Sequence, residues 1–97
     1  MTLKALKLGS GEELVVDVTE ETETTLTFKN PTAIVLRNTQ SGPAIGFLPW
    51  MKASDGPFTF NKANIACIAG VADEVENGYN QIFGAGIVVP PKDLILG

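Results

Sequence analysis

Histidine is absent from these 97 residues, and Cys67 is the sole cysteine. Those two facts remove imidazole acid–base catalysis, Cys/His zinc sites and any internal disulfide. A single free thiol fits a reducing compartment. Charge is sparse at 19% of residues, and it is mainly acidic: eleven Asp and Glu against seven Lys and Arg give a formal charge of -4. That balance opposes general attraction to a phosphate backbone and leaves room only for a local basic patch. No apolar run approaches the ~18 residues of a membrane span. Lys4 and Lys7 interrupt the apolar N-terminal residues, so a signal-peptide core is missing as well. The expectation is a soluble, cytoplasmic chain with no membrane partner.

Phosphate-binding glycine motifs are also wanting. Gly84-Ala85-Gly86 follows a helical stretch instead of opening one, and Gly9-Ser10-Gly11 lacks the Lys of a P-loop. Glu20, Glu21 and Glu23 read as a solvated loop, because a hard cation needs converging oxygens. No nucleophile–base pair can be named. The chain is therefore expected to be no enzyme and to carry no cofactor or metal.

What remains is a strand pattern. Leu6 and Leu8 share a face, Gly9-Ser10-Gly11 turns the chain, and Leu14, Val16 and Val18 resume with period two. Val15 is an apolar exception on the outer face. Glu20 to Thr24 forms a hairpin loop, after which Leu26 and Phe28 point inward. Asn30-Pro31 is expected to bend or bulge the strand. Ile34 and Leu36 keep the inward parity. Asn38 to Pro43 reads as a loop, and Ala44 to Met51 as an extended edge segment broken by Pro49. Ser54-Asp55-Gly56-Pro57 is a turn. Phe58 and Phe60 mark a short strand, Asn61 to Asn64 a link, and Ile65 to Ile68 an uncharged last strand. A bare apolar strand at a sheet edge invites aggregation, so this one is expected to be paired on both sides, within the domain or by another subunit.

The period then changes. Val75, Tyr79, Ile82 and Phe83 fall on one helical stripe, with Asp73 as N-cap, Glu76 three residues on and Gly84 as the stop. Ile87-Val88-Val89 is a possible further strand, followed by a tail through Gly97. One domain results: a mostly β, small, strongly bent antiparallel barrel over about 2–70, a C-terminal α-helix over about 73–83 and an extended segment over 84–97.

Two stretches resemble the halves of the Sm-like fold of Sm, LSm and bacterial host-factor proteins. The first is Leu8-Gly9-Ser10-Gly11-Glu12-Glu13-Leu14-Val15-Val16-Asp17-Val18 with Leu26-Thr27-Phe28. The second is Phe58-Thr59-Phe60, Asn61-Lys62-Ala63-Asn64 and Ile65-Ala66-Cys67-Ile68. Lys29-Asn30-Pro31, Leu48-Pro49-Trp50 and Tyr79-Asn80-Gln81 with Phe83 to Val88 resemble small Sm-like proteins attributed to marine cyanophages. The resemblance implies a barrel of SH3 type, a homo-oligomeric ring in the cytoplasm (of the host, if phage-encoded), and single-stranded RNA held between two loops. In this chain one loop, Glu20 to Thr25, lacks the family's aromatic stacking group and its Asn. The other begins Asn61-Lys62 where the family has Arg-Gly.

Asn61 offers hydrogen bonds to a base edge, and Lys62 a charge for a phosphate. The pair also reads as a plain polar turn. Ile65, Ala66, Cys67 and Ile68 are the expected subunit interface. Trp50 reads as a packed anchor or a stacking platform, Cys67 as an inert buried thiol, and Tyr79 as core with its hydroxyl near the rim. Two functions follow: a ring that binds single-stranded RNA weakly, or a structural or protein-interaction ring without RNA.

Overall fold

A computed structural model describes residues 2–83. The helix stop at Gly84, the strand at Ile87 to Val89 and the tail lie outside those residues. The described chain is mostly β. Six strands form one antiparallel sheet: β1 (Leu3–Leu8), β2 (Glu13–Glu21), β3 (Thr25–Thr39), β4 (Gly42–Pro49), β5 (Phe58–Asn61) and β6 (Ile65–Ala69). A 3-10 turn (Lys62–Asn64) separates β5 from β6, and helix α1 (Asp73–Phe83) follows. The order is β4-β3-β2-β1-β6, with β5 on the first half of β3.

The inner face carries the alternating residues of β1, β2 and β3. Leu6, Leu8, Leu14, Val16, Leu26 and Phe28 form the core, and Trp50, Phe58 and Phe60 close over it. Phe28 and Phe60 lie 5.4 Å apart between ring centroids, and Trp50 meets Phe60 edge-on at 5.5 Å. Edge-to-face and tilted contacts suit the ring quadrupoles. Trp50 is thus a packed anchor, and its indole N–H donates to Glu12 at 3.2 Å.

Asn30-Pro31 does bulge the strand, with a consequence for every residue beyond it. Asn30 adopts a left-handed φ of 51°, which Asn tolerates better than most residues. Lys29 pairs with Asp17 but Thr32 pairs with Val15, so three residues advance on β3 against two on β2. Side-chain parity flips. Ala33 packs on the core, while Ile34 and Leu36 move to the outer face, contrary to the sequence pattern. Leu36 is 77% exposed. The strand also runs on to Thr39, and β4 returns from Gly42, so the loop expected at Asn38 to Pro43 shrinks to the tip of a long hairpin arm.

The outer face holds a second apolar layer. Val15, Asp17 and Thr32 are buried there, on the side where α1 packs. Tyr79, fully buried, donates its hydroxyl to the Asn30 carbonyl at 3.0 Å. At Gly78 the helix comes so close to the Phe47 ring that a Cβ would sit 2.5 Å from it. This explains both the apolar Val15 on an otherwise polar parity and the glycine inside a helix. Of the apolar stripe, Val75 and Tyr79 face inward, whereas Ile82 is 38% exposed. The helix starts at Asp73 rather than being capped by it, since the Glu76 amide bonds to the Ala72 carbonyl. Among the described residues no helix is long and apolar enough to cross a membrane.

Candidate nucleic-acid interface

The two loops singled out in the sequence meet in space. β5 pairs with the start of β3, placing Asn61 opposite Thr25. The Lys62 amide donates to the Thr24 carbonyl at 2.8 Å. The β2–β3 hairpin, residues 21–25, and the turn after β5 therefore form one polar corner of the sheet. Its hydroxyls are tied to each other: Thr22 and Thr25 stand 2.7 Å apart, and Thr27 meets Thr59 at 3.0 Å.

Both candidate contact residues are already occupied. The Asn61 carboxamide oxygen accepts the Ala63 amide at 2.9 Å and caps the 3-10 turn. A capping Asn satisfies a backbone donor that would otherwise be free. Lys62 donates to the Glu21 carboxylate at 2.7 Å. That hydrogen bond and the ammonium charge hold the Glu21 carboxyl below the usual carboxylate range, and Lys4 adds in the same sense. Glu21, read from the sequence as part of a solvated loop, instead ends β2 and pairs with Lys62. Its relation to Lys62 depends on β5 lying beside β3, a long-range pairing that no local pattern reports.

The other cations are scattered. Lys7 pairs with Glu13 at 3.5 Å, and Lys29 approaches Asp17 at 3.9 Å. Arg37 lies along Gly46, where a Cβ would meet its Nε at 2.9 Å. The corner thus presents backbone amides, threonine hydroxyls and a neutralised lysine, with Glu20 and Glu23 close by in sequence. It lacks a flat ring on which a base would stack.

The expected interface strand lies at the end of the sheet. β6 pairs with β1 on one side only. Ala66, Cys67 and Ile68 are exposed and Ile65 is half-buried. Cys67 is therefore no buried thiol, contrary to expectation: it sits on the outer face beside Lys7, where the edge of the sheet leaves it open. β4, at the opposite end, pairs with β3 alone. No protein-family model matches the chain, and no curated protein is significantly similar to it.

Proposed function

We propose that the chain is a small Sm-like barrel that assembles with copies of itself into a closed ring and serves there as a non-enzymatic structural or protein-interaction component. One observation carries this reading: both terminal strands of the sheet, β4 and β6, keep an unpaired edge among the described residues, and neither contains a charge. Monomeric proteins blunt such edges with lysines or cover them. Two uncharged edges on one chain suit mutual pairing, and a head-to-tail contact between different surfaces closes into a ring when the rotation permits. The return of β6 to β1 through a 3-10 turn supports the barrel reading.

Single-stranded RNA is the second reading, favoured by the junction of the two loops at Lys62 and Thr24. It ranks second because Lys62 is paired with Glu21 and the corner offers no stacking surface. Ring multiplicity is the physical route by which so weak a site gains affinity.

Light scattering and oligonucleotide titration test the two together. The expected mass is a fixed multiple of 10.3 kDa, with no saturable binding of labelled oligouridine or oligoadenine at either of two salt concentrations. A stable monomer overturns the ring. Saturable, salt-sensitive binding lost in Lys62→Ala moves RNA to first place.

A further inference from the structure

Beside β6 the outer face opens into a largely apolar groove of about 530 Å3, lined by Ala5, Val15, Ile34, Cys67, Val71 and Val75 among others. Its floor is the outer face of β1, β2 and β6, and one wall is the chain entering α1. Lys7 and Glu13 stand on its border and pair with each other at 3.5 Å. The groove thus has no unpaired charge to offer, and an uncharged occupant suits it, because a charge brought there would lose water without gaining a partner.

The chain supplies such an occupant at the right distance. α1 begins at the groove, with Val75 in its lining, and from there runs on to Phe83, about 12 Å at the helical rise. Gly84, Ala85 and Gly86 come next, and glycine lets a chain leave a helix and reverse. The four residues from Phe83 to Ile87 reach about 13 Å when extended, so Ile87 is the first able to lie back beside Val75. Ile87-Val88-Val89-Pro90-Pro91 is apolar and uncharged, and neither proline carries an amide to leave unpaired. In an open groove the side chains fill the floor while the main chain stays at the mouth and keeps its water.

We infer that residues 87–89 fold back along α1 and seat their side chains in the groove of their own chain, over Val15 and beside Cys67. The tether holds the segment at an effective concentration in the ~mM range, which favours it over a free apolar peptide or a second copy. The inference is independent of the ring reading, since strand pairing uses the main-chain edge of β6 and the groove uses its outer face.

Cys67, the sole cysteine, reports on the groove. Ile87→Cys, Val88→Cys and Val89→Cys, each in the full chain and oxidised with diamide, place a second thiol along the segment. The fastest of the three should close a disulfide with Cys67 about tenfold faster than Gly97→Cys, because seating holds the thiols within bonding distance. Under denaturing, non-reducing conditions the product should keep the mass of one chain and show no free thiol. Covalent dimers as the main product mean that the segment seats on another copy, and they overturn the inference. Rates at 87–89 no higher than at Gly97→Cys overturn it as well. A second measurement leaves the native thiol alone. In the full chain, Ile87→Asp combined with Val88→Asp puts a charge on either face of the segment. Cys67 should then react with a thiol reagent about tenfold faster than in the wild type, the worth of one buried aliphatic side chain. The comparison is made where light scattering gives both proteins the same mass, and equal rates overturn the seating.

Discussion

The phenol of Tyr79 donates a hydrogen bond to the main-chain carbonyl of Asn30 at 3.0 Å. The helix is thereby fastened at the residue whose left-handed backbone bulges β3. The same bulge reverses the parity of the strand, so the contact lies where the β3–β4 arm begins to show apolar residues on its outer face. One link thus joins helix docking to the shape of the arm.

Tyr79 is the only tyrosine, so tyrosinate absorbance reports it alone. Burial, and after it the Asp17 carboxylate, push its phenol well above the ordinary range. A raised folded-state pKa contributes stability that is complete below the unfolded value of about 10 and is lost as pH climbs from there toward the folded value. Absorbance should stay flat through the ordinary tyrosine range while the protein is folded. Tyr79→Phe should remove the alkaline loss and cost about 1–3 kcal/mol at neutral pH, because the Asn30 carbonyl loses its partner. A phenol titrating normally in the folded state would contradict the docking.

Gly78 answers a packing demand. A methyl group there meets the Phe47 ring, which opposes the roughly 1 kcal/mol that Ala gains over Gly in a helix. Gly78→Ala is expected to destabilise the wild type and to stabilise Phe47→Ala, a sign reversal that a double-mutant cycle by chemical denaturation reads directly. Equal effects in both backgrounds would place the helix elsewhere.

Val15 tests the second apolar layer. It is 2% exposed on the outer face. Val15→Ala should cost about 1.5–3 kcal/mol. Phe28→Ala on the inner face should cost about 3–5 kcal/mol. A Val15→Ala change within about 0.5 kcal/mol, as at an ordinary surface site, would mean that nothing covers that face.

These positions also mark what was legible in the residues. Strands β1, β2, β5 and β6 and the helix were readable because their periodicities are local. The inward set of Leu6, Leu14, Val16, Leu26 and Phe28 followed from parity alone. Beyond Asn30 parity misled, since a bulge was foreseen but not that it would turn Ile34 and Leu36 outward. The Asn38 to Pro43 composition looked like a loop because turn residues at a hairpin tip resemble those of a longer connection. Cys67 was misplaced because an apolar strand at a sheet edge has the same sequence as one in the middle. Asn61 and Lys62 were found by type and position, yet Glu21, which neutralises Lys62, became visible only through the β3–β5 pairing.

The Glu21–Lys62 pair has a pH signature of known sign. A depressed carboxyl pKa contributes stability above the unfolded glutamate value and loses it as pH falls through the folded value. The Glu21 carboxyl, followed by NMR, should titrate below the ordinary glutamate range and return to it in Lys62→Ala. Glu21→Gln releases the Lys62 ammonium, so any oligouridine affinity should rise with an unchanged fold. No rise in Glu21→Gln would leave the loop corner with no part in RNA binding.

Amide hydrogen exchange along β6, read beside the mass of the particle, addresses edge pairing most directly. The account predicts slow exchange at the β6 amides that point away from β1, in a particle whose mass is a whole multiple of the chain. Fast exchange at those amides, or their protection in a particle of a single chain, would contradict it.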